Sequence, residues 1–184
     1  MRKDFGVKPF LCPQLVMIIG TYDTFGNPNV MNAAWGGMAD YDKVMVCMSS
    51  HKTTKNIEVT NEFTISIGNA SCVMQCDYVG IVSMDKEPNK MEKSKFTTTK
   101  AKYVNAPIVN ELGLCLECRL IKILEEDLYL AQIVNVNAKE DVLDENGNIS
   151  LEKLDAIVYS PTDHKYYKIG EKVGNAFSDG KKLV

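Results

Sequence analysis

Short hydrophobic or alternating segments, separated by turn residues, dominate this chain of 184 residues. Residues 15–21 and residues 30–35 are two such segments, and the stretch between them is rich in glycine, proline and asparagine. That order predicts an antiparallel hairpin. Residues 43–49 are apolar on both faces, which predicts a central strand. Strict alternation over residues 63–67 predicts a strand with Phe63, Ile65 and Ile67 inside and with Thr64 and Ser66 facing solvent.

The pattern becomes helical over residues 53–62, where Thr53 or Thr54 can serve as the N-cap. Residues 69–79 and 87–95 predict two further short helices. Two long strands, residues 113–124 and 128–138, are joined by only three residues and predict a second hairpin. No internal repeat, linker or shift in composition divides the chain, so we expect residues 1–184 to form a single, mainly β domain.

The composition is that of an ordinary globular protein, with 45% hydrophobic and 24% charged residues. A net charge of −3 argues against a nucleic-acid partner, because such proteins concentrate lysine and arginine on one face. Residues 1–9 contain no apolar segment typical of a signal peptide, and the longest wholly apolar run, residues 15–19, is too short to span a bilayer. We therefore expect a cytoplasmic protein without a membrane partner.

Cysteines and sequence motifs restrict the chemistry further. Cys115 and Cys118 form the one C-x-x-C, but they lie in a predicted strand and so point to opposite faces. With only two histidines in the chain, we expect buried reduced thiols and no metal site. The chain has no G-x-G pair for a Rossmann site, no P-loop, and neither G-x-S-x-G nor H-E-x-x-H, which leaves NTPase and hydrolase functions without residues.

Residues 48–57 carry the clearest chemical signal, since a buried strand runs directly into a helix there. A helix start presents unpaired N–H groups and a positive dipole end, which suit a phosphate. Ser49, Ser50 and Thr53 add neutral donors, and Lys52 adds charge, with Lys55 as a second cation. The alternative is that Ser50 and Thr53 only cap a surface helix and the lysines keep it hydrated, which is the more common role of such segments.

Residues 32–35 place small and amide side chains next to the only tryptophan of the chain. Small side chains allow a flat heteroaromatic ring to approach the backbone, and Trp35 can pack on the face of such a ring. A tryptophan at the end of a strand is, however, more often a core residue. This segment by itself therefore leaves both roles open.

Taken in order, several segments resemble the flavin reductase-like, FMN-binding split-barrel family, in particular its flavoredoxin-like members. The most specific is 49–57 (SSHKTTKNI), and the others are 13–16 (PQLV), 26–29 (GNPN), 32–35 (NAAW), 61–64 (NEFT), 95–96 (KF), 106–108 (API), 116–119 (LECR) and 166–170 (YYKIG). The resemblance covers nearly the whole chain. It implies a six-stranded antiparallel Greek-key split β-barrel with a few short flanking helices, which forms homodimers and binds FMN non-covalently.

Carried over to matching positions, the resemblance also implies which residues bind the cofactor. The isoalloxazine and ribityl side would contact Asn32, Ala33, Ala34 and Trp35, and the phosphate would contact Ser49, Ser50, Lys52, Thr53 and Asn56. We interpret His51 as a polar member of the anion loop rather than a general acid, because hydride transfer to a flavin needs no protein base. No catalytic side chain is predicted. Tyr166 and Tyr167 are secondary candidates, since the C-terminal region of the family approaches the flavin.

The leading functional hypothesis is an FMN-dependent oxidoreductase that passes hydride or electrons from NAD(P)H, through the flavin, to a small-molecule or protein acceptor. The alternative is a flavoredoxin-type electron carrier that exchanges electrons with protein partners without NAD(P)H turnover. A third hypothesis is a binding module with a vestigial FMN pocket.

Overall fold

The computed structural model describes residues 1–125 and 127–183. The described strands are β1 (Gln14–Leu15), β2 (Met17–Tyr22), β3 (Pro28–Ala33), β4 (Gly36–Asp40), β5 (Lys43–Cys47), β6 (Glu62–Ile67), β7 (Thr98–Lys100), β8 (Pro107–Val109), β9 (Leu114–Leu124), β10 (Leu128–Ala138), β11 (Ile157–Ser160) and β12 (Lys165–Lys168). The described α-helices are α1 (Lys52–Thr60), α2 (Val73–Ile81), α3 (Lys90–Ser94) and α4 (Leu151–Leu154). Short 3₁₀ segments occupy Ala70–Cys72, Glu140–Val142 and Asp179–Leu183.

Seven strands form the main sheet, in the order β3-β2-β6-β9-β10-β5-β4, and every neighbouring pair is antiparallel. Its edge strands, β3 and β4, follow one another in the chain and are joined by Ala34 and Trp35. The sheet therefore curls into a half-barrel, and the predicted mainly β, antiparallel split-barrel class is confirmed. The main sheet has seven strands, one more than the resemblance implied. The sequence pattern did not predict β4, whose two consecutive glycines are unusual in a strand.

Both predicted hairpins are confirmed. β2 pairs with β3 from Met17–Ala33 to Tyr22–Pro28, and β9 pairs with β10 along most of its length. The turn of the second hairpin includes residue 126, which lies outside the described residues. The first predicted strand is interrupted at Val16, since β1 leaves the main sheet and pairs with β11. The predicted central strand β5 is paired on both sides, but it lies next to the edge strand β4.

Two hydrophobic clusters cover the two faces of the sheet, which explains the apolar run at residues 15–19. The interior of the half-barrel holds Ile19, Val46, Phe63, Ile65 and Tyr129, with α1 contributing Ile57. On the other face, Val16, Ile18 and Val30 pack against Cys76 and Val79 of α2. The sequence of a strand that is covered on both faces is continuously apolar, whereas apolar and polar residues alternate in a strand with one solvated face.

The alternation of β6 led to one wrong prediction. Thr64 and Ser66 were expected to face solvent, yet both are 0% exposed. The segment that contains β8 covers this face of the sheet, and the Thr64 hydroxyl donates a hydrogen bond to the Pro107 carbonyl. Only the tertiary structure supplies this partner for Thr64, whereas the buried Ser66 hydroxyl has no hydrogen-bond partner among the described residues.

Helix α1 begins one residue earlier than predicted, and the N-cap prediction is wrong. His51 is the N-cap residue, with an extended backbone, while Thr53 and Thr54 lie inside the helix and are buried. The Thr54 hydroxyl accepts a hydrogen bond from the His51 N–H (2.8 Å) and donates one to the His51 carbonyl (2.9 Å). The helix ends at Thr60, and its C-cap residue is Asn61, which has a left-handed φ of 57° and donates its N–H to the Ile57 carbonyl.

The segment predicted as a helix over residues 69–79 is divided, because Ala70–Cys72 is a 3₁₀ turn and α2 follows it. The predicted helix over residues 87–95 is confirmed as the shorter α3. Within the described part of the chain, none of the helices has the length and apolar composition needed to cross a bilayer.

Candidate functional site

Two adjoining depressions, which together we call the groove, lie between the start of α1, strand β3 and helix α2. They share Asn32, Gly80 and Ile81. We define the cation end by its polar residues: Asn29, His51, Lys52, Thr53 and Lys90. We define the aromatic end by the lining residues Ala34, Trp35, Asp77, Tyr159 and Tyr166.

Two buried side-chain hydrogen bonds fix α1 against the sheet. The Asn29 amide donates to the Thr53 hydroxyl (2.8 Å), and the Asn56 amide donates to the Thr21 hydroxyl (3.0 Å). All four residues are at most 5% exposed. The N–H groups of the first helical turn are thereby held at the groove in one orientation, where an anion would complete the unpaired donors.

Asn29 leaves one buried polar atom without a partner. Its Oδ1 is inaccessible and accepts no hydrogen bond from any described residue, although Asn29 itself lines the groove. Buried polar groups are rarely unpaired, so such an atom calls for an explanation. Because this atom is inaccessible, a molecule in the groove does not reach it in this arrangement, and the amide of Asn29 acts by holding Thr53.

Lys90 is the residue that sequence reasoning missed. It lines the cation end, its side chain is only 2% exposed, and it forms no salt bridge with any described residue. Burial lowers the pKa of Lys90 from 10.5 to about 8. Its segment, rich in lysine and glutamate, resembles a solvated surface helix. Nothing in the local sequence distinguishes Lys90 from Lys86 or Lys93.

At the aromatic end, Tyr166, Asp77 and Asn32 form a hydrogen-bonded network. The Tyr166 hydroxyl donates to Asp77 Oδ1 (2.8 Å). The Asn32 amide donates to the Cys76 carbonyl (3.0 Å) and, at 3.4 Å, to the Tyr166 hydroxyl. Burial, followed by the Asp77 carboxylate, raises the pKa of Tyr166 well above its usual range. The tyrosine therefore keeps its proton and remains the hydrogen-bond donor to the Asp77 side chain.

Trp35 lies at the rim of this end and is 53% exposed, so it is not a core residue. Asn32 and Ala34 line the groove, whereas Ala33 between them is buried in the interior of the half-barrel. This division follows from the alternation of side chains along a strand. The exposed indole leaves an apolar surface next to the groove.

The groove brings together Asn32, Ala34, Trp35, His51, Lys52 and Thr53 of the predicted site. Ser49 and Ser50 are exposed and line neither end, and the Ser49 hydroxyl is hydrogen-bonded to His51 Nε2 (3.1 Å). Asn56 faces the β2 side of α1, and the Tyr167 hydroxyl binds Asp163 outside the groove. Ala33, Ser49, Ser50 and Asn56 do not line the groove, and ligand contacts from all ten predicted residues stay predictions.

Gly80 sets the distance between α2 and β3 where the two ends of the groove meet. A Cβ atom at this position would lie 2.9 Å from the Cβ of Asn32, closer than side-chain carbons approach. The absence of a side chain thus allows the helix to pack directly on the strand. Its place in the helical pattern gave no sign of this role.

Comparison with known proteins agrees with this geometry. The family model for the flavin reductase like domain matches residues 10–166. The structure is similar to that of the flavoredoxin of Desulfovibrio vulgaris (Miyazaki F), with 31% identity, a TM-score of 0.94, and coverage of 98% of this chain and 100% of that one. It shares its fold with the flavoredoxin from Methanosarcina acetivorans, at 24% identity and a TM-score of 0.88 over the full length of both chains.

A sequence relative from Archaeoglobus fulgidus, described as an uncharacterized protein, is 30% identical over 115 residues. That alignment covers 59% of this chain and 64% of the archaeal protein, a little under two thirds of its length. The family model, in contrast, spans most of the chain and includes both ends of the groove. The chain therefore belongs to the flavin reductase-like, FMN-binding split-barrel family.

Proposed function

We propose that the groove binds FMN non-covalently, with the phosphate at the cation end and the isoalloxazine at the aromatic end. The observation that carries this proposal is Lys90, a buried lysine without a counter-ion among the described residues. A buried charge costs free energy unless it is paired, and a phosphate in the groove would pair it. The aromatic surface of Trp35 and Tyr166, at the other end of the same groove, suits a flat ring.

Each part of the groove has a defined task in this proposal. Lys52, Lys90 and the N–H groups at the start of α1 hold the phosphate. Asn29 holds the start of α1 at the groove through its bond to Thr53. Trp35 packs against the ring and excludes water from it. FMN, when bound, supplies the hydride- and electron-accepting chemistry, and the chain orients it.

We further propose that the protein is an oxidoreductase that takes electrons from NAD(P)H and passes them to a small-molecule or protein acceptor. The open rim supports this, because the exposed Trp35 and the half-buried Ala34 border a surface that a nicotinamide can reach. No side chain in the groove has to act as a base, since hydride transfer to a flavin requires none. His51 therefore contributes as the N-cap residue and as a polar group of the cation end.

A second candidate is a carrier that exchanges electrons with protein partners and does not turn over NAD(P)H. Its support is the similarity to a protein described as a flavoredoxin, at 31% identity over nearly the whole chain. The two candidates share the cofactor and the groove. They differ in whether a nicotinamide reacts at the rim.

Spectra and turnover measurements on the purified protein separate these candidates. We expect flavin absorption bands after incubation with FMN, and oxidation of NADH or NADPH when an electron acceptor is present. A yellow protein that oxidises neither nucleotide would contradict the reductase proposal and favour the carrier. A protein that takes up no FMN would contradict both.

We also propose a homodimer, in which a second copy of the chain covers the edge strand β4. Every residue of β4 is exposed. Trp35, Met38, Met45 and Leu128 line an apolar depression beside it. An unpaired edge strand with an apolar surface readily pairs with another chain. The single domain over residues 1–184 and the cytoplasmic location stay predictions.

A further inference from the structure

Asp77 is the one carboxylate among the described residues that line the groove. It lies on α2 at the aromatic end, and it forms no salt bridge within the described part of the chain. Its hydrogen-bond partner is the neutral hydroxyl of Tyr166, at 2.8 Å. The groove therefore has opposite charges at its ends, with Lys52 and Lys90 at one and Asp77 at the other.

The position of this carboxylate is fixed by the groups around it. Tyr166 donates to Asp77, while the Asn32 amide approaches the same hydroxyl and is itself anchored to the Cys76 carbonyl. The Tyr166 ring packs beside Tyr159 with their centroids 6.0 Å apart. A surface carboxylate can turn away into water, but this one is held toward the groove.

A fixed charge affects most strongly a reaction in which charge develops nearby. Two-electron reduction adds two electrons and one proton to the neutral isoalloxazine, and it leaves one negative charge on the ring; the electrons come from a reductant such as dithionite or a reduced nicotinamide. A carboxylate at the same end of the groove raises the free energy of that charged form relative to the oxidised one. The lysines at the cation end interact mainly with the phosphate, which is charged in both forms.

We propose that Asp77, held in place by Tyr166 and Asn32, lowers the reduction potential of the flavin in this groove. The inference rests on the proposed function, because it needs FMN bound with its ring at the aromatic end. It deepens that proposal by assigning a residue to the electron-transfer properties of the site. The expected consequence is that the protein binds oxidised FMN more tightly, relative to reduced FMN, than it would without this carboxylate.

The test compares midpoint potentials of the FMN-loaded protein by anaerobic dithionite titration with reference dyes. In Asp77→Asn, which keeps the shape and removes the charge, we expect the ratio of dissociation constants for reduced and oxidised FMN to fall at least tenfold. For a two-electron couple, that change is a rise of about 30 mV in the midpoint potential. Asp77→Glu keeps the charge, so we expect it to stay near the native value.

Asp163→Asn is the matched control, because Asp163 accepts a hydrogen bond from Tyr167 and the pair lies outside the groove. For Asp163→Asn we expect the ratio of dissociation constants for reduced and oxidised FMN to change less than twofold. Should Asp77→Asn not fold, Asp77→Ser serves for the same comparison. If the protein binds FMN but the neutral Asp77 variant and the control have the same potential, the inference is wrong and the proposed function stands. If the native protein binds no FMN, both are wrong.

Discussion

Lys90 is buried, although lysine is usually a surface residue. Its ammonium group is removed from water, and no described carboxylate compensates for the lost hydration. The lowered pKa of Lys90 has this cause, because burial disfavours the charged form as long as no anion is bound beside it. An anion in the groove would therefore be bound with the help of a charge that the free protein accommodates poorly.

Lys90→Met is expected to weaken FMN binding roughly 10- to 100-fold, because it removes a charge-assisted hydrogen bond worth about 1.5–3 kcal/mol. Binding of riboflavin, which has no phosphate, should change little. Flavin fluorescence quenching measures both affinities. Lys93→Met, on the same helix but paired with Glu87 at the surface, is the matched control. Equal losses for FMN and riboflavin would place Lys90 away from the phosphate.

Lys52→Ala tests the other cation of the groove. Lys52 is half-buried at the first position of α1 and lines the cation end. We expect weaker FMN binding with little loss of fold stability, since the residue lines the cation end and is not part of the hydrophobic core. The measurements are fluorescence quenching and thermal unfolding. Unchanged binding together with a lower melting temperature would show that the residue is structural.

The pH dependence of binding follows from the pKa of about 8 for Lys90. Phosphate binding requires the protonated amine, so FMN affinity should fall above this pH, by up to about tenfold per pH unit. The stability of the protein without FMN depends on pH in the opposite direction. The unfolded chain holds this proton up to its ordinary pKa of 10.5, so unfolding takes up protons and the free energy of unfolding rises between these two values.

Dissociation constants at pH 7, 8 and 9, together with urea unfolding of the free protein over a higher pH range, test this argument. Lys90→Met should lose the fall in affinity above pH 8 and the corresponding rise in stability. A native protein whose affinity is constant over this range would show that Lys90 does not bind the phosphate as an ammonium ion.

At the scale of elements, the groove depends on how closely α2 and α1 pack on β3. Gly80 brings α2 onto Asn32, and the Asn29–Thr53 bond brings α1 onto the same strand. Strand β3 thus positions both helices that border the groove. The helix patterns and the hairpins were predictable because each depends on residues close in sequence. The contact between α2 and β3 joins residues far apart in the chain, and no local pattern encodes it.

Gly80→Ala is expected to destabilise the fold despite the better helix propensity of alanine. The gain in propensity is about 1 kcal/mol, whereas forcing a methyl group into a packed site costs about 1–3 kcal/mol. Asn32 cannot move away easily because it is bonded to the Cys76 carbonyl. We expect a melting temperature lower by a few degrees and weaker FMN binding. Gly170→Ala, at an open position after β12, should change neither quantity.

At the scale of the whole molecule, the exposed edge strand β4 bears on the oligomeric state. Met38 is 61% exposed and lies in the apolar depression beside Trp35. Met38→Glu places a charge in the proposed interface, and we expect it to shift a dimer toward monomers in size-exclusion chromatography with light scattering. Ile149→Glu, at an exposed position that does not line this depression, is the control and should leave the mass unchanged. A native protein that is monomeric would contradict the dimer.

The amino-acid sequence by itself determined the hairpins, the helix after residue 51 and the resemblance to the family, because these depend on side-chain period, turn residues and short motifs. Six of the residues that it predicted for the cofactor site line the groove in the structure. Only the tertiary structure decided that Thr64 and Ser66 are buried and that Lys90 and Asp77 face one groove. Burial and charge pairing arise where segments that are distant in the sequence meet. From the sequence alone, a lysine or an aspartate is therefore predicted to be solvated, and only its neighbours in space show otherwise.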